Sequence, residues 1–235
     1  MTCFSGSTAA SGALVAVLAL AALPACTPQT AALMSLVPDG TVSTVLGNLQ
    51  GVEDENRKRV TELEARKDWD GLVKLAEQNL AKDRNNSAWW LVAGYAHSQA
   101  GRHRRSIDCY SEVVRLAPDE TLGWSLLAQS YRDTGQPARA VQTLTNAHLA
   151  GMGTAETWFL LGESYSDLDR DLPAAAAYRE ALQLNRGFAR AWFGLGRAYA
   201  RLGRREEFDQ TLKSLAELDA SLAKQLAELR PAARN

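Results

Sequence analysis

With 235 residues, 46% of them hydrophobic and 23% charged, the chain has the make-up of an ordinary folded protein and is long enough to bury a core. A formal net charge of −1 gives no global electrostatic case for nucleic acid as a partner. Cys3, Cys26 and Cys109 match no metal or redox spacing, so they offer neither a disulfide framework nor a zinc site.

Residues 1–25 read as a targeting segment. The run from Ala13 to Leu23 is apolar and too short to span a bilayer, the pattern of a signal-peptide core. Leu23-Pro24-Ala25-Cys26 follows it and resembles the lipobox of bacterial lipoproteins, in which a small residue precedes a cysteine that is lipidated and becomes the new first residue. The resemblance implies lipidation of Cys26 and anchorage by acyl chains. With Thr27 instead of Asp after the cysteine, it also implies the periplasmic face of a bacterial outer membrane. A soluble periplasmic protein with an unlipidated signal is the alternative.

Residues 26–40 carry Pro28 and Pro38 and no charge before Asp39, and read as a flexible tether. Residues 41–86 are expected to hold an N-terminal helix and a degenerate first repeat. Val42, Val45, Leu46, Leu49, Val52, Val60 and Leu63 keep the spacing of one helical face, with Asp39 as N-cap. A second series, Trp69, Leu72, Val73, Leu75, Ala76 and Leu80, follows a break at Lys67 and Asp68.

From residue 87 the chain repeats. Trp90, Trp124, Trp158 and Trp192 recur at one constant interval, without insertion, and divide residues 87–222 into units 87–120, 121–154, 155–188 and 189–222. Each unit has a small residue four positions after its tryptophan (Gly94, Ala128, Gly162, Gly196) and a turn at Gly101, Gly135, Asp169 or Gly203. Its second apolar series contains Ser106, Ala140, Ala174 or Phe208, then Tyr110, Leu144, Tyr178 or Leu212. The small residue lets two helices approach closely, aromatic rings fill the wider gaps, and each pair buries its apolar face against the next. The tryptophans are expected in the interior. In residues 223–235, Leu226 and Leu229 extend the stripe of Leu215, Leu218 and Leu222 as the end of a capping helix, before a tail beginning at Arg230-Pro231.

These residues resemble the tetratricopeptide repeat. The resemblance implies an all-α fold, a right-handed superhelix of antiparallel helix pairs, with a partner groove lined by the first helices. By its positions the groove comprises Leu91, Tyr95, Gln129, Arg132, Phe159, Glu163, Phe193, Arg197 and Arg201. The apolar path Leu91, Tyr95, Phe159, Phe193 is expected to cross zones of mixed, then acidic, then basic charge and to anchor a peptide or protein. Chaperone-binding members clamp a terminal carboxylate with Lys and Asn; Tyr95, Gln129 and Gly194 stand in those slots, so that clamp is absent. Arg102, Arg104, Arg105, Arg204 and Arg205 are expected along one turn edge, where they are solvated or meet an anionic lipid surface.

Catalysis finds no support. No phosphate-loop, zinc-protease or nucleophile-elbow motif occurs, and His97, His103 and His148 have no ligand spacing. Asp167, Asp169 and Asp171 mimic the start of a calcium loop, but Leu172 and Tyr178 replace the required Gly and Glu. The expectation is a non-enzymatic scaffold without cofactor, metal, nucleic acid or small-molecule substrate. As a lipoprotein it would hold a partner for assembly of a pilus, secretin or peptidoglycan machine. A regulatory adaptor of an envelope enzyme, such as a peptidoglycan hydrolase, is the alternative.

Overall fold

A computed structural model describes residues 52–231. The signal segment, Cys26, the tether, the Asp39 cap and Val42 to Leu49 of the expected first helix lie outside the described residues. Among the described residues there are eleven α-helices and no strand. They are α1 (Asp54–Ala65), α2 (Trp69–Leu80), α3 (Ser87–Gln99), α4 (His103–Leu116), α5 (Thr121–Asp133), α6 (Pro137–Leu149), α7 (Ala155–Ser166), α8 (Asp171–Leu184), α9 (Ala189–Arg201), α10 (Arg205–Leu218) and α11 (Ala220–Ala227).

Local chemistry sets the helix ends. The Asp68 and Asn86 side chains accept from Gly71 N and Ala88 N at the starts of α2 and α3, and Thr154 and Thr157 form a reciprocal capping box on α7. Pro137 opens α6, where its missing N–H costs nothing. Between the helices of each pair the backbone turns through the left-handed region, at Lys67 (φ 54°), Gly101 (72°), Gly135 (71°), Asp169 (55°) and Gly203 (68°). Glycine takes this conformation without a Cβ penalty, which is why three of the five are glycine. All five are spaced by the interval that separates the tryptophans, so the period runs back through α1 and α2.

The core is built where the repeat pattern places it. Ser106, Ala140, Ala174, Phe208, Tyr110, Leu144, Tyr178, Val113, Ala147, Ala181 and Leu215 are each at most 1% exposed. A Cβ at Gly94 would stand 2.5 Å from the Tyr110 ring, and one at Gly162 2.6 Å from the Tyr178 ring. In these two units the small residue of the first helix is therefore the seat for an aromatic ring of the second.

The C-terminus corrects one expectation. The leucine series is not one helix: α10 stops at Leu218, Asp219 is extended (φ −148°, ψ 99°), and its carboxylate caps α11. Asn185 makes the same break one repeat earlier (φ −143°, ψ 96°). The helix α11 thus stands at the first-helix position of a further unit, with Leu226 buried in the tryptophan slot against Gly196. Leu218 and Leu229 are exposed and add nothing to the cap.

Candidate partner-binding surface

The four periodic tryptophans are half-buried at the rim of the core, where the interior had been expected. The physical reason is their polar edge. Trp90, Trp124 and Trp192 each donate the indole N–H, at 2.8 Å, to the carbonyl six residues upstream: Arg84, Pro118 and Arg186. Each ring therefore ties the turn between units to the helix that follows it. In the third unit the equivalent carbonyl, that of Met152, receives the Thr157 hydroxyl, and Trp158 stacks on His148 with centroids 3.9 Å apart. The fully packed tryptophan is Trp89, one residue before the periodic position.

The expected apolar path is also corrected. Leu91, Tyr95 and Phe159 are 2–3% exposed, so they are core residues and not anchors facing a partner. Tyr95 meets Trp69 edge-on at 6.0 Å, while Phe159 packs on Phe188 at 4.9 Å and lies beneath the Arg190 guanidinium. Neighbouring units close over these positions. Phe193, in the last complete unit, stays half-buried.

The polar residues of the expected groove are brought together. Arg132 meets Asp167 at 2.6 Å and Glu163 at 3.3 Å, Arg197 meets Glu163 at 2.9 Å, and Arg201 meets Asp171 at 2.7 Å. Gln129, itself buried, accepts from Arg132 at 3.1 Å and donates to Asp133 at 2.8 Å. Ser166 accepts from Arg197 and Arg201, and the Tyr178 hydroxyl donates to Glu163. Burial works against the Arg132 charge, but the hydrogen bond to Asp167 and the charge of Glu163 outweigh it and raise its pKa. The same contest at Arg197 is won by Glu163. Burial, then Glu163, raises the pKa of Tyr178, so its hydroxyl keeps the proton it donates. The expected zones of mixed, acidic and basic charge are thus one network across α5, α7 and α9, joined by Asp171 and Tyr178 of α8, in which opposite charges are paired. The calcium-like aspartates are part of the same picture: Asp167 and Asp171 hold arginines, and Asp169 makes the turn.

Sequence reasoning missed the crevices beside the tryptophans. Two open crevices, of about 510 and 720 Å³, are floored by Trp90 and Trp192. The first is lined by Glu77, His97, Arg105 and Cys109; the second has Arg179, Tyr199, Glu207 and Thr211 at the same repeat positions, three units further on. Burial, then Asp108 and Glu77, pushes the Cys109 thiol up to about 12, which keeps it protonated and inert. No group of three or more metal-ligating side chains occurs among the described residues.

The histidines give a pH prediction. Burial, with Arg102 and Arg105, lowers the pKa of His97, against weaker opposition from Glu77 and Asp70; burial lowers that of His148. A depressed histidine contributes stability that is present above its unfolded pKa of 6.5 and is lost as pH falls through the folded value. Asp133 and Glu156, raised by burial, act in the opposite sense: their contribution is present below the unfolded carboxylate values and lost as pH rises. A chain with His97→Gln and His148→Gln is therefore expected to lose less stability than wild type on acidification below pH 6.5. Parallel melting temperatures for the two chains across that window would contradict this.

A family model described as tetratricopeptide repeat matches residues 91–156 and 160–223, more than half of the chain. The chain belongs to the tetratricopeptide-repeat family. Its units form the solenoid of that family, whose members act as protein-interaction scaffolds. A crystal structure of MamA is similar, at 23% identity over 74% of this chain and 99% of that one, with a TM-score of 0.64. MamA 41-end from Desulfovibrio magneticus RS-1 is 16% identical over 77% of this chain and 97% of its own, with a TM-score of 0.62. TTC0263, a thermophilic TPR protein in Thermus thermophilus, is 19% identical over 76% and 98%, with a TM-score of 0.56. At these identities the likeness carries the fold alone. No curated protein sequence matches the chain.

Proposed function

We propose that this tetratricopeptide-repeat protein is a lipid-anchored scaffold, acylated at Cys26. It holds a peptide or protein segment across α5, α7 and α9 for assembly of a cell-envelope complex such as a pilus, secretin or peptidoglycan machine. The observation that carries the binding surface is the paired network on those helices. Its arginines and carboxylates are fixed by one another, yet Arg197, Arg201 and Asp167 stay about one-third exposed (33–38%) beside half-buried Phe193. Groups held in place before binding lose little freedom on meeting a partner. The lipobox resemblance at Leu23 to Cys26 supports the anchor.

The test compares wild type with Phe193→Ala/Arg201→Ala, a change on the surface side of the network, in affinity purification from envelope extract with proteins identified by mass spectrometry. One envelope protein is expected to be enriched by wild type and depleted roughly tenfold or more by the variant, as for a hot-spot pair. Equal recovery overturns the surface. In the same cells Cys26→Ser is expected to move the chain out of the membrane fraction, and unchanged fractionation overturns the anchor.

A further inference from the structure

The five helix-to-helix turns, one to each repeat, lie along one edge of the solenoid, and their charges are unevenly distributed. The first holds Arg66 and Lys67 beside Asp68 and Asp70. The second, residues 100–105, holds Arg102, His103, Arg104 and Arg105 and no carboxylate; the third holds Arg139 and no carboxylate. In the fourth, Asp169 and Asp171 outnumber Arg170, and the fifth matches Arg204 and Arg205 with Glu206 and Glu207.

Contacts sharpen the contrast. Arg204 pairs with Glu207 at 3.7 Å and Arg205 with Asp209 at 3.9 Å, which removes them from the basic edge expected from sequence. Arg102 is held by Asp70, whereas Arg104 and Arg105 are exposed and form no ion pair among the described residues. A shallow hollow of about 360 Å³ opens at this turn, lined by Gly101, Arg102, His103, Arg104, Arg105 and Thr134. Arg139, exposed at the next turn, stacks over Tyr131 at 4.3 Å.

We infer that this basic stretch of the edge, centred on Arg104 and Arg105, docks on the phosphate head groups of an anionic membrane. The placement favours a membrane over other polyanions. The basic turns are the second and third of the five counted from the side that residues 27–53 join to Cys26, and that much chain reaches at most about 90 Å. The orientation rests on the proposed anchor: the acyl chains supply attachment and the arginines set which edge faces the lipid. Each arginine near such a surface is worth about fivefold in partitioning.

The test uses the chain from residue 26 onward with Cys26→Ser, which has neither an acyl group nor the apolar run Ala13 to Leu23, and sedimentation with phosphatidylcholine vesicles with and without phosphatidylglycerol. Binding is expected to favour the phosphatidylglycerol vesicles and to weaken roughly 25-fold with Arg104→Gln/Arg105→Gln, at an unchanged melting temperature. Arg204→Gln/Arg205→Gln is expected to leave binding unaltered. No preference for phosphatidylglycerol, or equal binding by the Arg104/Arg105 variant, overturns the inference. Binding of a DNA duplex that depends on the same two arginines, without a lipid preference, overturns the choice of a membrane. None of these outcomes bears on lipidation, which the Cys26→Ser fractionation tests separately.

Discussion

Replacing Tyr178 by alanine is expected to lower the unfolding free energy by about 3–5 kcal/mol, as for other large buried aromatic residues. The side chain is fully buried and serves three helices at once. It extends from α8, it is the ring that a Cβ at Gly162 of α7 would meet at 2.6 Å, and a Cβ at Gly194 of α9 would meet it at the same distance. It also packs against Phe159 at 6.0 Å and donates its hydroxyl to Glu163. In a stacked-repeat protein, stability is approximately a sum of unit terms and nearest-neighbour junctions. Losing this ring weakens the junction between units 155–188 and 189–222 more than any junction near the N-terminus. Hydrogen exchange should accordingly rise in α9, α10 and α11 well before it rises in α3 and α4. Tyr178→Phe keeps the ring and removes only the donor, so it should cost less, about 1.5 kcal/mol. An alanine variant no less stable than Tyr178→Phe, or one whose exchange rises evenly along the chain, would show that the ring does not hold this junction.

The residues that made this junction readable were small ones. Gly94 and Gly162 stand at a fixed offset from their tryptophans, and only close approach of two helices explains a small residue repeated there; the structure fills both seats with tyrosine rings. The turns were readable for the same reason, since Gly101, Gly135 and Gly203 mark a backbone conformation that disfavours side chains. Depth was harder to read. An indole is apolar enough for the interior, but its N–H needs an acceptor, and the acceptors of Trp90, Trp124 and Trp192 lie in the turns six residues upstream, at the surface. Phe159 was misplaced because periodicity within one helix cannot show that Phe188, from the turn before the next unit, lies over it. The break at Asp219 was hidden by leucines that continue a helical spacing across it. The polar network did leave a trace: Arg132 and Glu163, Arg132 and Asp167, Glu163 and Arg197, and Asp171 and Arg201 are opposite charges separated by close to one repeat length. In a chain of equal stacked units, such separations bring residues of adjacent first helices or their turns side by side.

Glu163 is the hub of that network, and Glu163→Ala is expected to cost about 2–3 kcal/mol, below the 3–5 kcal/mol of a fully buried pair because its side chain keeps 19% of its exposure. Deleting it takes a carboxylate from both Arg132, which keeps Asp167, and Arg197, and it removes the acceptor of the Tyr178 hydroxyl. The loss comes mainly from the stranded Arg197 and an unpaired donor on Tyr178, and only partly from the attraction itself. A second substitution separates these terms. If stranded charge dominates, Glu163→Ala/Arg197→Ala should be more stable than the sum of the two single changes, with a coupling of about 1–2 kcal/mol in a double-mutant cycle read by denaturant unfolding. Strict additivity would instead mean that water already satisfies both arginines, and that the pairs behave like exposed ones worth about 0–1 kcal/mol. That outcome would also weaken the proposed binding face. A surface whose charges are not fixed by one another offers a partner no preorganised pattern, and Arg197 and Arg201 would have to be ordered at the moment of binding.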